Sequence, residues 1–170
     1  GTTPIDIEIE VIASTSGITV CPGIPTVHTI TVVPDPTVTI ESAAPTPICI
    51  GGTISDIEVS TTGGTGSVSY DWYISDVAGT LISIHPNSTD SATFNPGVFT
   101  TAGEFYFVAV ANFDGSGCDQ APSLVVTVEV VNDPVLTAPL STQTICESST
   151  PTDLEVIATG GTGTYSYQWF

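Results

Sequence analysis

The sequence contains no lysine and no arginine. An average domain of this length carries roughly 20 basic side chains, so the absence is systematic, as in an array built from one template. It excludes nucleic acid as a partner, because nothing can neutralise phosphates. It disfavours anionic membrane surfaces for the same reason. Side-chain salt bridges are almost impossible, so cohesion must come from apolar burial and the sheet hydrogen-bond ladder. Trypsin has no site to cut. Long apolar runs are also missing: no stretch approaches the roughly 18 residues of a transmembrane helix. No signal peptide opens the chain, and Gly1-Thr2-Thr3-Pro4 reads as mid-protein sequence.

What is present is an acidic, folding composition. The 18 Asp and Glu residues give a formal net charge of −18, and their mutual repulsion favours a soluble, extended array. Disorder would also require low hydrophobicity. Here 41% of residues are hydrophobic and the mean hydropathy is +0.35.

An internal repeat organises the chain. Cys49-Ile50-Gly51-Gly52-Thr53 through Asp56-Ile57-Glu58-Val59 corresponds to Cys146 through Asp153-Leu154-Glu155-Val156, and Gly63-Gly64-Thr65-Gly66 to Gly160-Gly161-Thr162-Gly163. Tyr70 and Trp72 correspond to Tyr167 and Trp169, all at an offset of 97 residues. Cys21 precedes Cys118 by the same 97, while Val32-Val33-Pro34-Asp35-Pro36 precedes Val130-Val131-Asn132-Asp133-Pro134 by 98. The expected map is the end of one repeat in residues 1–36, a complete repeat in 37–134, and the beginning of a third in 135–170. The chain is thus expected to belong to something much longer.

The complete repeat has the length of one small β domain. Strands are expected at 37–41, 54–61, 67–75, 79–84, 91–94, 104–112 and 124–131, separated by Gly, Pro, Asn and Asp. In 67–75, Val68, Tyr70, Trp72 and Ile74 share one face, the alternation of a half-buried strand. Segment 104–112 is apolar on both faces. Seven strands without helical periodicity predict an all-β fold of tandem immunoglobulin-like β-sandwich repeats of about 97 residues.

Cys49 and Cys118 are the two cysteines of the complete repeat, and they are expected to form a disulfide closing a 69-residue loop. On the chain-entropy model such a loop is worth roughly 4 kcal/mol. Cys21 and Cys146 would then pair outside the fragment. One disulfide per repeat implies an oxidising, extracellular compartment; the alternative is four free thiols.

Together these motifs — Ile48-Cys49-x-Gly51, the Gly63–Gly66 turn, Tyr70-x-Trp72-Tyr73, Thr93-Phe94-Asn95-Pro96, Gly103-x-Phe105-Tyr106-Phe107-Val108, Gly117-Cys118 and Asn132-Asp133-Pro134 — resemble the Ig-like repeats of very large Bacteroidetes cell-surface proteins. Those proteins are exported by the type IX secretion system, and the gliding-motility adhesin SprB represents them. The resemblance implies a paired cysteine at the two positions named and no catalytic residues. Antibody domains carry Gly-x-Tyr-x-Cys where this chain has Gly103-x-Phe105-x-Phe107, so the core disulfide and the tyrosine-corner hydroxyl are absent while Trp72 remains. Trp72 is expected to pack against Phe105 or Phe107.

Other candidate sites compete with plainer explanations. Asn112, Asp114 and Ser116 place oxygen ligands at alternate positions before Gly117, as at the start of a calcium loop. Position twelve would be Ser123 rather than Glu, and a hairpin turn explains the run better. Asp35 and Asn132-Asp133 could hold a cation between repeats, against the simpler reading of a Pro-terminated linker. Asp90-Ser91-Ala92 fits the short O-glycosylation pattern of exported Bacteroidetes proteins, making Ser91 the candidate acceptor. Asn87-Ser88-Thr89 is a formal N-glycan sequon. His28 and His85 lie in different repeats and do not recur at the 97-residue offset, which argues against zinc or a catalytic base. Gly63–Gly66 lacks the lysine and helix of a phosphate loop. Tyr73 could offer a sugar-stacking platform or lie half-buried in a sheet.

The expected function is a structural stalk or filament segment of a large repetitive cell-surface adhesin, serving attachment or gliding motility. The alternatives are a glycan-binding Ig-like module and a spacer in a secreted polysaccharide-degrading enzyme. No enzymatic activity and no cofactor other than calcium is expected. The expected partners are neighbouring repeats of the same chain, with extracellular polysaccharide or other surface proteins as further candidates.

Overall fold

The structure is a computed structural model that describes residues 3–17, 21–115, 117–118, 120–139 and 142–170. Among the described residues thirteen strands are formed: β1 (Ile5–Val11), β2 (Thr26–Val32), β3 (Thr37–Ile40), β4 (Ile48–Cys49), β5 (Ile57–Thr62), β6 (Val68–Ser75), β7 (Leu81–Ile84), β8 (Thr93–Phe94), β9 (Gly103–Phe113), β10 (Ala121–Pro122), β11 (Val126–Val131), β12 (Val135–Thr137) and β13 (Ile157–Thr159). The described residues contain no helix, and hence none long and apolar enough to cross a membrane.

Two sheets make the central sandwich. One has the order β3-β5-β8; the other has β4-β11-β9-β6-β7, with β10 added to β9. The first edge is split between them. β3 pairs antiparallel with β5, the chain crosses over, and β4 then pairs parallel with β11. This is the immunoglobulin-type sandwich, with three strands facing a sheet of six. The Thr-, Val- and Ile-rich segments form strands because β-branched side chains pack well on a pleated surface.

The alternation expected for 67–75 is realised in β6. Trp72 is fully buried, and Tyr70 and Ile74 pack against the same core. In β9 the ambiguity is resolved by burial on both faces: Phe107 and Ala109 join the core cluster, and Val108 and Val110 are buried as well. Isoleucines and valines of the three-stranded sheet, Ile57 and Val59 among them, meet Trp72, Phe107, Val128 and Val130 of the other. Two of the three two-residue strands, β4 and β10, lie outside the seven expected from sequence.

The hairpin β1–β2 precedes the sandwich and β12–β13 follows it, each as a separate two-stranded sheet. Their registers copy the sandwich. Asp6 opposes Thr31 as Glu104 opposes Glu129, each position 98 residues apart. Val135 opposes Thr159 as Thr37 opposes Thr62, at offsets of 98 and 97. The chain is therefore a tandem of Ig-like units.

Strand direction fixes the two ends of the sandwich. Residues 34–36, the 63–66 turn and the loop after Phe113 lie at the entry end. Cys49, Gly103 and Val131 lie at the exit end, where Val131 pairs with Cys49 and Val130 with Gly103.

Candidate functional site

The entry end is built around the Gly63–Gly66 turn. Gly64 N–H donates to the Pro34 carbonyl at 2.9 Å, tying the turn to the segment that leads in from the preceding repeat. Gly63 has φ +77°, and a Cβ there would stand 2.5 Å from the Asp35 carbonyl oxygen. Glycine is required on both counts, since a left-handed backbone and close backbone approach each disfavour a side chain. The Phe113 ring closes over Gly64. The same joint recurs at the exit end. Gly161 N–H donates to the Asn132 carbonyl at 2.8 Å, and Gly160, at φ +77°, would place a Cβ 2.9 Å from the Asp133 carbonyl oxygen. The turn between β5 and β6 is thus also the dock for the linker.

The loop between β9 and β10 is clamped to this turn. Asp114 Oδ1 accepts from Ser67 N–H at 2.6 Å, and Asp114 N–H donates to the Ser67 carbonyl at 3.2 Å. Cys118 Sγ accepts from Thr65 N–H at 3.2 Å.

These contacts engage the calcium candidates. Asp114 is committed to Ser67, and Asn112 donates to Asp71 Oδ2 at 3.0 Å while accepting from Gln120. Asp114 Oδ1 and Asn112 Oδ1 each accept a hydrogen bond within the hairpin, and Ser116 lies outside the described residues. The Asn132 carbonyl accepts from the following turn, and the Asp133 carbonyl lies close against Gly160. Among the described residues no three His, Cys, Asp or Glu side chains gather as metal ligands.

The expected bond between Cys49 and Cys118 is not formed, and all four cysteines are free thiols. The physical reason is distance. Cys49 is level with the start of β9 and Cys118 lies past its end. A strand of 11 residues at ~3.4 Å per residue separates the two ends by about 30 Å, whereas a disulfide needs Cα atoms within about 7 Å.

Trp72 and Phe107 lie in one core cluster, and Phe94 touches both rings. Trp72 stacks on Phe94, with centroids 4.7 Å apart and planes at 14°. Phe107 meets Phe94 at 5.6 Å, and Phe105 packs instead on Phe99 at 4.9 Å. Trp72 Nε1 donates to the Ser91 carbonyl at 3.0 Å, which satisfies the buried indole. Past the end of β7, the segment between β7 and β8 continues along β6. Tyr70 N–H donates to Asp90 Oδ1 at 2.8 Å and Trp72 N–H to Ser88 Oγ at 2.9 Å. Ser91 is half-buried, and its hydroxyl accepts from Thr93 N–H at 3.1 Å. Ser88 and Asp90 therefore cap the backbone of β6, while Ser91 anchors the Trp72 indole, roles that sequence reasoning missed.

His85 lies against Phe94 and Phe107, and its Nδ1 accepts from Asn87 N–H at 3.1 Å. Burial holds its pKa below the ordinary histidine value. His28 is exposed on β2 opposite Ile9, so the two imidazoles share no site. Asn87 is held by the Asn95 and Pro96 carbonyls through its side-chain amide. Tyr73 is half-buried between Val108 and Ile84. A cleft of about 290 Å³ opens beside His85, lined by Ser75, Phe99, Glu104 and Phe107 among others.

No family model matches the chain, and no curated protein does. Among solved structures it is similar to Sidekick-1 immunoglobulin domains 1–5, with TM-score 0.44 and 18% identity over 75% of this chain and 26% of that one. It is also similar to Sidekick-1 immunoglobulin domains 1–4, with TM-score 0.39 and 13% identity over 80% of this chain and 45% of that one. The chain spans about a quarter to under half the length of these structures. The sandwich assignment rests on the strand order described above.

Proposed function

We propose that this chain is a segment of an extracellular stalk or filament, part of a large repetitive adhesin on a cell surface. The observation that carries the reading is the recurrent joint: the same Gly-Gly turn takes the linker carbonyl at Pro34 and again at Asn132. One docking contact per repeat, made head to tail, generates a linear array in which each unit touches its neighbours. Repeats of 37–134 fit this arrangement. Apolar positions exposed on β1 and β2, such as Ile7 and Ile30, correspond at an offset of 98 to Phe105 and Val128 of the sandwich, which supports a full sandwich around the first hairpin.

The acidic surface suits this role, since like charge keeps neighbouring stalks apart. The sequence resemblance favours a Bacteroidetes surface protein exported by type IX secretion and working in attachment or gliding. Shadowed electron micrographs of chains carrying two, four and eight copies of the repeat test the stalk. Rods that lengthen by a constant step per copy are expected; compact particles would sink the reading. A glycan array probed with the same chains separates the stalk from a glycan-binding module, for which each added copy raises the bound signal.

A further inference from the structure

The cysteines lie at opposite ends of one sandwich, and tandem stacking brings opposite ends together. Cys49 is held beside Val131 at the exit, and Ile50 N–H donates to the Val131 carbonyl at 3.1 Å. Ile48 and Ile50 pack on the core, so strand alternation puts Cys49 between them on the outer face. Val131 is followed by Asn132, whose carbonyl takes Gly161 N–H of the following repeat. The next residue is Thr162, the counterpart of Thr65, and in the central repeat Thr65 N–H is the group that donates to Cys118 Sγ. From Cys49 to the next repeat's counterpart of Cys118 the relay is one strand pairing, two chain steps and two hydrogen bonds. Even laid end to end these span only about 20 Å, and a bent path is shorter. The separation within one repeat is a rigid strand of about 30 Å.

We propose that a disulfide joins Cys49 of each repeat to the cysteine that stands, in the following repeat, where Cys118 stands here. The proposal rests on the tandem reading above. The two thiols give up two protons and two electrons to the active disulfide of a thiol–disulfide oxidoreductase. One S–S bond forms between repeats, and the oxidoreductase leaves as its dithiol. The partner of Cys118 is by the same rule the Cys49 counterpart one repeat upstream. Partners are thus 166 residues apart (69 plus 97), and no two of Cys21, Cys49, Cys118 and Cys146 have that spacing.

The mechanical consequence follows from the spacing. Cys21 and Cys49 are 28 residues apart (49 − 21), as are Cys118 and Cys146 (146 − 118). A pulling force would travel 28 residues, cross a disulfide into the next repeat, and travel the counterpart of the same 28. The remaining chain of each loop is shielded from load. Two such paths interlace, and the array cannot lengthen by unravelling its sandwiches.

The test uses the chain of 1–170 with residues 37–134 duplicated in place. One variant keeps only Cys49 of the first copy and Cys118 of the second, the other cysteines being changed to serine. A second keeps only Cys118 of the first copy and Cys49 of the second, and a third only the two cysteines of one copy. Each is oxidised with a catalytic disulfide oxidoreductase, alkylated and weighed intact. The first variant alone is expected to resist alkylation and to lose two hydrogens. A bond within one copy, or free thiols in the first variant when its circular dichroism shows a cooperative melt, overturns the proposal. If the duplicated chain does not fold, a non-reducing peptic map of the parent array decides between a Cys49 peptide linked one repeat downstream and any other pairing. Rods with free thiols would remove the disulfide and leave the stalk standing.

Discussion

Glu104 and Glu129 stand directly opposite each other in the β9–β11 ladder. Their counterparts in the first hairpin are Asp6 and Thr31, where the threonine hydroxyl donates to the carboxylate at 2.6 Å. One copy of the repeat thus satisfies the position that the other leaves as a like-charge pair. Directly opposed like charges are destabilising on a sheet. Glu129→Thr is expected to raise the stability of the chain by about 0.5 kcal/mol, read as a shift in urea midpoint at unchanged slope. The gain should shrink in molar salt, which screens the repulsion it removes.

Phe94 is the ring on which Trp72 stacks, and it also touches His85 and Phe107. Truncating a buried phenylalanine costs roughly 3–5 kcal/mol, a large part of the total stability of a domain this size. Phe94→Ala is expected to leave the sandwich unfolded or nearly so at low urea, by far-UV circular dichroism. Phe105→Ala should cost less, because Phe105 is only partly buried.

His85 gives a pH dependence of determinate sign. Its folded pKa lies below the ordinary 6.5, lowered by burial, and its Nδ1 is occupied as an acceptor. Below the ordinary value the unfolded chain therefore binds a proton that the folded chain refuses. Stability should be fully present above about pH 6.5 and fall as the pH drops from there toward the folded pKa. His85→Gln should flatten the denaturation midpoint between pH 7 and pH 5. Asp76 acts in a lower window: hydrogen bonds from Thr80, Ala78 and Gly79 depress its pKa, so its contribution is lost only as the pH falls below the usual carboxylate range.

Gly63 tests the joint itself. Alanine there meets the Asp35 carbonyl and an unfavourable left-handed backbone. Gly63→Ala is expected to cost about 1–2 kcal/mol from the backbone alone and to loosen the dock at Pro34. Limited proteolysis with an Asp-specific enzyme should cut the variant near Asp35 faster than the parent chain.

Much of the sandwich was legible in the sequence. Trp72 and its alternating neighbours announced β6, and the Gly-Gly turns marked the strand ends. Phe94 was not recognised as the partner of Trp72 because β8 has only two residues, too few to show a period. Asp90 and Ser91 resembled a modification motif, while their hydrogen bonds to β6 depend on a chain path that no local pattern encodes. The cysteine pairing failed for a different reason. The repeat offset assigned Cys49 and Cys118 to one unit but said nothing about which end each occupies. Strand parity carries that information. Five strands, β5 to β9, separate the two, and an odd number of alternating strands leaves the residues at its limits on opposite ends.

The most direct test of the docked array is a pulsed electron paramagnetic resonance distance between spin labels on Cys21 and Cys118, with Cys49 and Cys146 changed to serine. These two cysteines are equivalent positions on consecutive repeats. A repeat whose longest strand has 11 residues is about 40 Å long at ~3.4 Å per residue plus its loops. The account predicts one narrow distance distribution near that length. A broad distribution spanning tens of ångströms would show a free hinge at Pro34-Asp35-Pro36 and contradict it.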